Sequence, residues 1–529
     1  MLGQWTVGIN IDLVGRLGGK GAGLFKMQQM GLPVPPAFVI AVSACHAYHG
    51  RGRRFLSEEL CREVMQRVSE VEAIAGKRYG NPGNPLLLSV RSGAPVSMPG
   101  MMDTILNVGI NDSVRNGLET LTGNPAFAWD CHRRFLEMLG ETVFGIEKEV
   151  FRSARRGTNG SDWRATVGRY QELVSEAAAR SPYPQVVDDV EQQLLACIEA
   201  VLKSWQNDRA VRYRKMFKIS ADLGTAVVVQ AMVFGNLDGN SGTGVVFTRD
   251  PSTGVRELVG EYLVGRQGEE VVSGEAEETS KTMTSLRQEF PLIHHQLARM
   301  CRFLEFVARD VQDIEFTFEQ GKLYILQTRS AKRTPLAAVR FLADAVAEGL
   351  LSQDDALRRA RSITKASLEE FLSQEVTRKG DGHCWIVARG RGVTPRVTRG
   401  RLVFSTAEAI ELSSTGDSVV MVRDVTSPED IGGIEKAAGL FTARGGPLSH
   451  AAVVCRELGK PCVVGTGVRI DIQSGEVVGE GGVSVKRGEL VTVDGTTGLV
   501  WGGHVEVEKR ELDLNLVGWI QRIVGRSLC

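Results

Sequence analysis

The segment that most narrows what this chain can build is Thr442-Ala443-Arg444-Gly445-Gly446-Pro447-Leu448-Ser449-His450-Ala451-Ala452-Val453-Val454. Two glycines permit a tight turn, and Ser449 is a good helix N-cap. The apolar run that follows ends at Gly459, a natural helix stop. The spacing therefore predicts a helix that begins at His450. Its first turn leaves backbone N–H groups free, and the helix dipole favours an anion there. A neutral imidazole so placed can accept a phosphoryl group and have the product held by backbone donors. A lone histidine more often just caps or packs a turn, so the reading depends on the company His450 keeps.

The whole chain sets outer limits. At 529 residues it exceeds one hydrophobic core, and about two to four domains are expected. Its 63 basic residues balance 63 acidic ones, so charge gives no sign of a nucleic-acid partner or an anionic membrane. Its 60 glycines exceed the usual share of about 7% and imply many tight turns and close backbone–ligand approaches. The 9 cysteines are scattered without a C-x-x-C pair, which reads as reduced thiols of an intracellular protein. Met1-Leu2-Gly3-Gln4-Trp5 lacks a signal-peptide start, and no run approaches the ~20 apolar residues of a membrane span. A cytoplasmic setting is the expectation.

In the front half, Gly18-Gly19-Lys20-Gly21-Ala22-Gly23 precedes a helical pattern at Leu24, Met27 and Met30. It is neither a Walker A loop nor a clean dinucleotide fingerprint, but glycines let backbone approach phosphate and Lys20 supplies charge. Leu86–Ala94 reads as a buried strand running into a turn that presents Arg91. Ala226–Gly235 is a second strand, leading toward Gly242–Asp250. Asp313–Thr317 and Tyr324–Arg329, joined by a turn at Gly321, read as a hairpin. Alternation puts Asp313, Glu315 and Thr317 on one face of one strand, and Gln327 with Arg329 on one face of its partner. Carboxylates beside an arginine and an amide suit a Mg²⁺–polyphosphate; the bland alternative is a solvated face with ordinary surface charges. Residues 112–205 read as a helical insertion. There His132, Arg133 and Arg134 could reach a phosphate, although a solvated helix face is the simpler expectation.

Two further motifs flank His450: Val425-Thr426-Ser427-Pro428-Glu429-Asp430-Ile431-Gly432-Gly433 upstream and Asp494-Gly495-Thr496-Thr497-Gly498 downstream. With the His450 segment they resemble the phosphohistidine domain of the pyruvate phosphate dikinases. The phosphoenolpyruvate synthases and rifampin phosphotransferases are related to the same domain. From Gly18 to Thr334 the ordered pieces, with Gly260-Glu261-Tyr262-Leu263 and Gln267-Gly268-Glu269, resemble the ATP-grasp-type nucleotide-binding domain of the dikinases. The resemblance implies an α/β multidomain chain. It comprises a nucleotide-binding domain over 1–334, a helical linker over 335–380, a swivelling β/β/α phosphohistidine domain over 381–508 and a C-terminal helix over 509–529. It implies that His450 is the catalytic carrier and that Lys20, Arg91 and Arg329 contact the ATP phosphates. Asp313, Glu315 and Gln327 would line the nucleotide site, with Glu315 and Gln327 toward Mg²⁺. Gly100-Met101-Met102-Asp103-Thr104 would be a mobile loop over the phosphates.

The implied reaction is ATP-dependent phosphorylation of His450, with release of AMP and formation of pyrophosphate from phosphate. His450 should act best above about pH 6.5, the usual imidazole pKa. The dikinases continue into an α/β barrel that binds pyruvate and phosphoenolpyruvate, for which this sequence has no counterpart. A separate barrel polypeptide is therefore expected to supply the acceptor. Two alternatives remain. One is a phosphotransferase subunit for another small molecule, of the phosphoenolpyruvate synthase, rifampin phosphotransferase or phenylphosphate synthase kind, with water taking the terminal phosphoryl group. The other is a non-catalytic regulatory homologue. Two departures from the family stand out. Pro447-Leu448 replaces Met-Thr, so regulation by phosphorylation of that threonine is not expected. Glu275-Ala276-Glu277-Glu278-Thr279 replaces a basic stretch.

Overall fold

The computed structural model describes residues 12–50, 56–96, 98, 101–157, 162–268, 280–361, 363, 375–378, 384–447, 449–503, 505–509 and 518–519. Leu448, Gly100, the 275–279 stretch and Val517, Ile520 and Val524 of the expected C-terminal helix lie outside them. Packing divides the chain into two units: Met1–Ser241 with Thr317–Thr328, and Gly242–Phe316 with Arg329–Cys529. These boundaries differ from the expected break at 334, because the hairpin strands are shared between units.

The first unit is built on an antiparallel sheet in the order Ala37–Ile40, Ala226–Ala231, Leu88–Gly93, Thr104–Val108. Ala226–Ala231 is buried at every position, which explains why its sequence is apolar at every position but Gln230 rather than alternating. Helices Asp112–Thr122, Pro125–Phe144, Lys148–Gly157, Trp163–Ala178 and Val190–Ser204 follow the sheet's first strands. Local signals set their ends. Asn111 and Asn124 cap the first two, Pro125 occupies the first turn of the second, and Gly123 and Gly145 close them in the left-handed region. The solvated face expected at residues 132–134 is not there. His132 and Arg133 are buried. Arg133 pairs with Asp130 at 3.0 Å and Glu137 at 2.6 Å, and Arg134 pairs with Asp130 at 2.7 Å. Partners three and four residues away on the same helix let these guanidinium groups leave water.

In the second unit a five-stranded sheet has the order Lys322–Ser330, Gln312–Glu319, Gly242–Phe247, Val259–Val264, Lys281–Thr282, the hairpin tip counting with the first unit. Helix Pro335–Ala347, expected as the start of a free linker, is instead part of this region's core. Val339, Phe341, Leu342 and Ala345 pack with Val245, Phe247, Leu263 and Val311. Arg249, wholly buried, fastens the helix. It pairs with Glu305 and Asp344 at 2.9 Å each and with Glu348 at 3.2 Å. Trp519 packs against this same core rather than on the carrier region where the sequence suggested the C-terminal helix would dock.

The rest of the unit is an eight-stranded sheet around a parallel centre: Val397–Val403, Val419–Arg423, Gly439–Thr442 and Cys462–Val464. Helices Thr406–Ser414, Ile431–Lys436 and His450–Glu457 connect these strands, as parallel pairing requires. Antiparallel strands flank the centre, and a small sheet of Arg469–Asp471, Glu476–Val478 and Ser484–Lys486 completes the region. No helix of the described residues is long and apolar enough to cross a membrane.

Candidate active site

His450 opens its helix where parallel strand Gly439–Thr442 ends. Loops at the carboxyl ends of parallel strands are where such sheets hold ligands, and the loop after Val419–Arg423 runs to the same edge. The turn between strand and helix depends on glycine. Gly445 has φ +100°, and a Cβ on Gly446 would sit 1.9 Å from the Glu261 carboxylate. Ser449 caps the helix through a weak 3.5 Å bond from the Ala452 N–H.

The imidazole is nearly enclosed. Its Nδ1 lies 3.4 Å from Thr426 Oγ1, and Nε2 is buried without a hydrogen-bond partner among the described residues. The tautomer in which Nδ1–H donates to Thr426 leaves the Nε2 lone pair free to act as a nucleophile. Burial pushes the pKa down to about 4, against the pull of Asp430 and Glu429 toward the charged form. His450 is therefore neutral across the neutral range and stays so well below about pH 6.5, the value expected of an ordinary imidazole. Asp430 is itself held by Thr406 at 3.1 Å, the Ser427 N–H at 3.0 Å and Arg423 at 3.2 Å, which fixes the loop that carries Thr426. The sequence pattern contained Thr426, but nothing local in it revealed the contact with His450.

The other candidate residues fall in separate groups. Lys20 and Arg91 belong to the first unit. The glycine run does not precede a helix, as the spacing suggested, but lies within helix Leu13–Gln29, which breaks at Gly18 (φ +68°, ψ +171°). Gly18 has to be glycine, since a Cβ there would meet the Gly93 carbonyl at 1.6 Å. Lys20 consequently begins a fresh helical segment against Gly93, two residues from Arg91 along one strand face. Asp103 of the expected phosphate-covering loop is tied to Arg209 and to Asn207 Nδ2 at 3.2 Å.

In the second unit Arg329 Nε donates to Asp313 Oδ2 at 2.8 Å, as strand alternation predicted. Burial pushes the Asp313 carboxyl up while Arg329 pulls it down, and the Asp313 charge raises Arg329. Glu315 is half-buried on the same strand. Gln327, in the hairpin segment that counts with the first unit, is buried with its Oε1 lacking a hydrogen-bond donor among the described residues. A carboxylate oxygen at Glu315 and an amide oxygen without a donor at Gln327 are hard ligands suited to Mg²⁺. Among the described residues no cluster of three or more His, Cys, Asp and Glu side chains forms a metal site. His450's own neighbours include Thr426, Asp430 and Glu429.

Residues 52–295 match the family described as pyruvate phosphate dikinase, AMP/ATP-binding domain, and residues 415–498 match the PEP-utilising enzyme, mobile domain. The pyruvate, phosphate dikinase of Rhizobium meliloti (strain 1021) is 43% identical over 522 residues, which cover 94% of this chain and 57% of that protein. The chain is therefore similar to the pyruvate, phosphate dikinases along most of its own length. Two further dikinases agree. That of Clostridium symbiosum is 38% identical over 94% of this chain and 58% of its own length. Pyruvate, phosphate dikinase 2 of Zea mays is 41% identical over 92% of this chain and 55% of its own length. The chain thus spans less than two thirds of the dikinases it matches. Each of those is one polypeptide extending beyond the aligned region, so the expected separate barrel chain finds no support among them. Arg91 lies inside the first family match and His450 inside the second, while Lys20 and the hairpin residues lie outside both.

Proposed function

We propose that this chain catalyses ATP-dependent phosphorylation of His450, the first half of a dikinase-type phosphoryl transfer. The observation that carries the proposal is the neutral, enclosed imidazole whose free Nε2 stands at a helix N-terminus on the carboxyl edge of a parallel sheet. Residues 1–334 act as the nucleotide-binding domain, with 112–205 as its helical insertion, and residues 381–508 act as the carrier joined through 335–380. Lys20, Arg91 and Arg329 bind the ATP phosphates, while Asp313 orients Arg329. Glu315 and Gln327 hold Mg²⁺, which when bound neutralises phosphate charge.

His450 Nε2 attacks the β-phosphorus. An N–P bond forms, the bond from that phosphorus to the oxygen bridging the α-phosphate breaks, and AMP leaves. Inorganic phosphate then attacks the terminal phosphorus, pyrophosphate departs and phospho-His450 remains. Helix N-terminal N–H groups and the basic residues stabilise the charge on the transferring oxygens. The relatives' name makes pyruvate the final acceptor in them. For this chain the same acceptor is proposed, bound outside the residues assigned above.

Incubation with β-³²P-ATP, Mg²⁺ and phosphate should give an acid-labile label on His450. Label that survives His450→Ala would overturn the assignment. Phosphate-dependent formation of pyrophosphate supports the dikinase route, whereas orthophosphate released from the γ position supports the synthase route. Discharge of the labelled chain by pyruvate alone places the acceptor site on this chain; discharge only with an added barrel protein places it on another. Absence of both labelling and ATP binding would leave a regulatory homologue.

A further inference from the structure

Arg456 stands on the same helix as His450 but has no part in the chemistry above. It is only 4% exposed. Its Nη2 donates to the Pro447 carbonyl at 3.0 Å, which turns the guanidinium back toward the end of the helix where His450 lies. Its Nε and Nη1 are buried without a hydrogen-bond acceptor among the described residues. The Phe247 ring lies 5.9 Å from the guanidinium carbon, and the carboxylates whose charge reaches it are Asp250 and Asp313. Asp313 is the complement: Arg329 occupies Oδ2, and Oδ1 is buried with no donor. Leaving such donors and such an acceptor unpaired out of water is costly, and the cost is removed when they meet.

Other bonds cross the same seam between residues 242–334 and residues 384–509. Arg391 pairs with Glu261 at 3.0 Å, Lys332 with Glu457 at 2.7 Å, and Ser252 Oγ donates to the Val393 carbonyl at 2.7 Å. Arg456 differs from these in being buried at the seam with two bonds still to make.

We propose that Arg456 is a positioning residue whose free N–H groups are accepted by Asp313 Oδ1 when the His450 helix is fully seated. The pair then fixes the carrier on the carboxylate that also holds Arg329. The seating role depends on the geometry alone; its effect on catalysis rests on the proposed phosphorylation of His450.

Seating can be read without ATP. In a Glu261→Cys/Arg391→Cys background a short bis-maleimide should join the two thiols within one chain. Adding Arg456→Met should slow this cross-link about tenfold, the scale of one charged hydrogen bond, and Arg456→Lys should recover part of the rate. Equal rates with and without Arg456→Met overturn the proposal. In the native background, Arg456→Met should lower the rate of loading from saturating β-³²P-ATP about tenfold with the KM for ATP unchanged. Phosphoramidate, which phosphorylates histidine without a nucleotide site, should label both proteins equally. Loss of phosphoramidate labelling in Arg456→Met would overturn the positioning role, since Arg456 would then be acting on the surroundings of His450. A slowed cross-link in a protein that ATP never labels would sink the proposed function and leave the seating role supported.

Discussion

Two histidines in this chain share a chemistry but not a situation. His132 and His450 are both pushed by burial to a pKa of about 4, and both have ring nitrogens without a hydrogen-bond partner. His132 is wholly buried in the middle of helix Pro125–Phe144, with Asp112 3.8 Å from Nδ1 and neither nitrogen hydrogen-bonded. His450 begins a helix, has one nitrogen against Thr426 and leaves the other without a partner among the described residues, at the carboxyl edge of a parallel sheet. A depressed imidazole pKa therefore measures desolvation. Reactivity comes from where the free nitrogen stands and what stands beside it.

The largest expected effect separates the pair outright. His450→Gln should abolish labelling from β-³²P-ATP, whereas His132→Leu should keep it within about twofold, as expected for a change remote from the chemistry. Labelling lost in His132→Leu at unchanged thermal stability would end the contrast. Next comes the turn that places His450. Gly446→Ala forces a methyl into the Glu261 carboxylate and should cost about 1–3 kcal/mol, read as a lower thermal midpoint and slower loading. Thr426→Val removes the Nδ1 partner, and a drop in loading of up to about tenfold is expected, with ATP binding unaltered.

The smallest effect is on acid stability, where the two histidines should behave alike. Each has a folded pKa near 4, below the unfolded value of about 6.5, so the unfolded chain binds more protons between these limits. Their contribution is complete above about pH 6.5 and is lost as pH falls toward 4. Thermal melts from pH 7 to 4.5 should show a shallower decline for His132→Leu than for the native chain. Over the same range the loading rate at His450 should stay level until about pH 5.

Much of the site was legible because its cues are local. Ser449 and the glycines announced the helix start at His450, and alternation put Asp313 and Arg329 each on one face of neighbouring strands. What escaped were contacts between positions far apart in the chain, for which no periodicity exists. Thr426 meets His450 from another loop, and Arg391 meets Glu261 across 130 residues. Charge patterns misled in two places. Arg133 looked solvated because its partners Asp130 and Glu137 are themselves charged. Helix Pro335–Ala347 looked like a free arm because the core it joins is assembled from strands a hundred residues earlier.

That last helix bears on how far a carrier could travel. A leash is measured from its last fastened point, and Arg249 fastens this chain at Asp344 and Glu348, with Ala356 and Ala360 still inside the same core. At the far end, Glu375–Arg378 is zipped to Glu506–Lys509, so the chain enters and leaves the carrier region through one two-stranded stalk. Ile363 also packs against that core, so only residues 364–374 lie between it and the stalk. At about 3.3–3.6 Å per residue they can span at most roughly 40 Å. That length of chain is an upper bound on how far the stalk can stand from the core that Arg249 fastens.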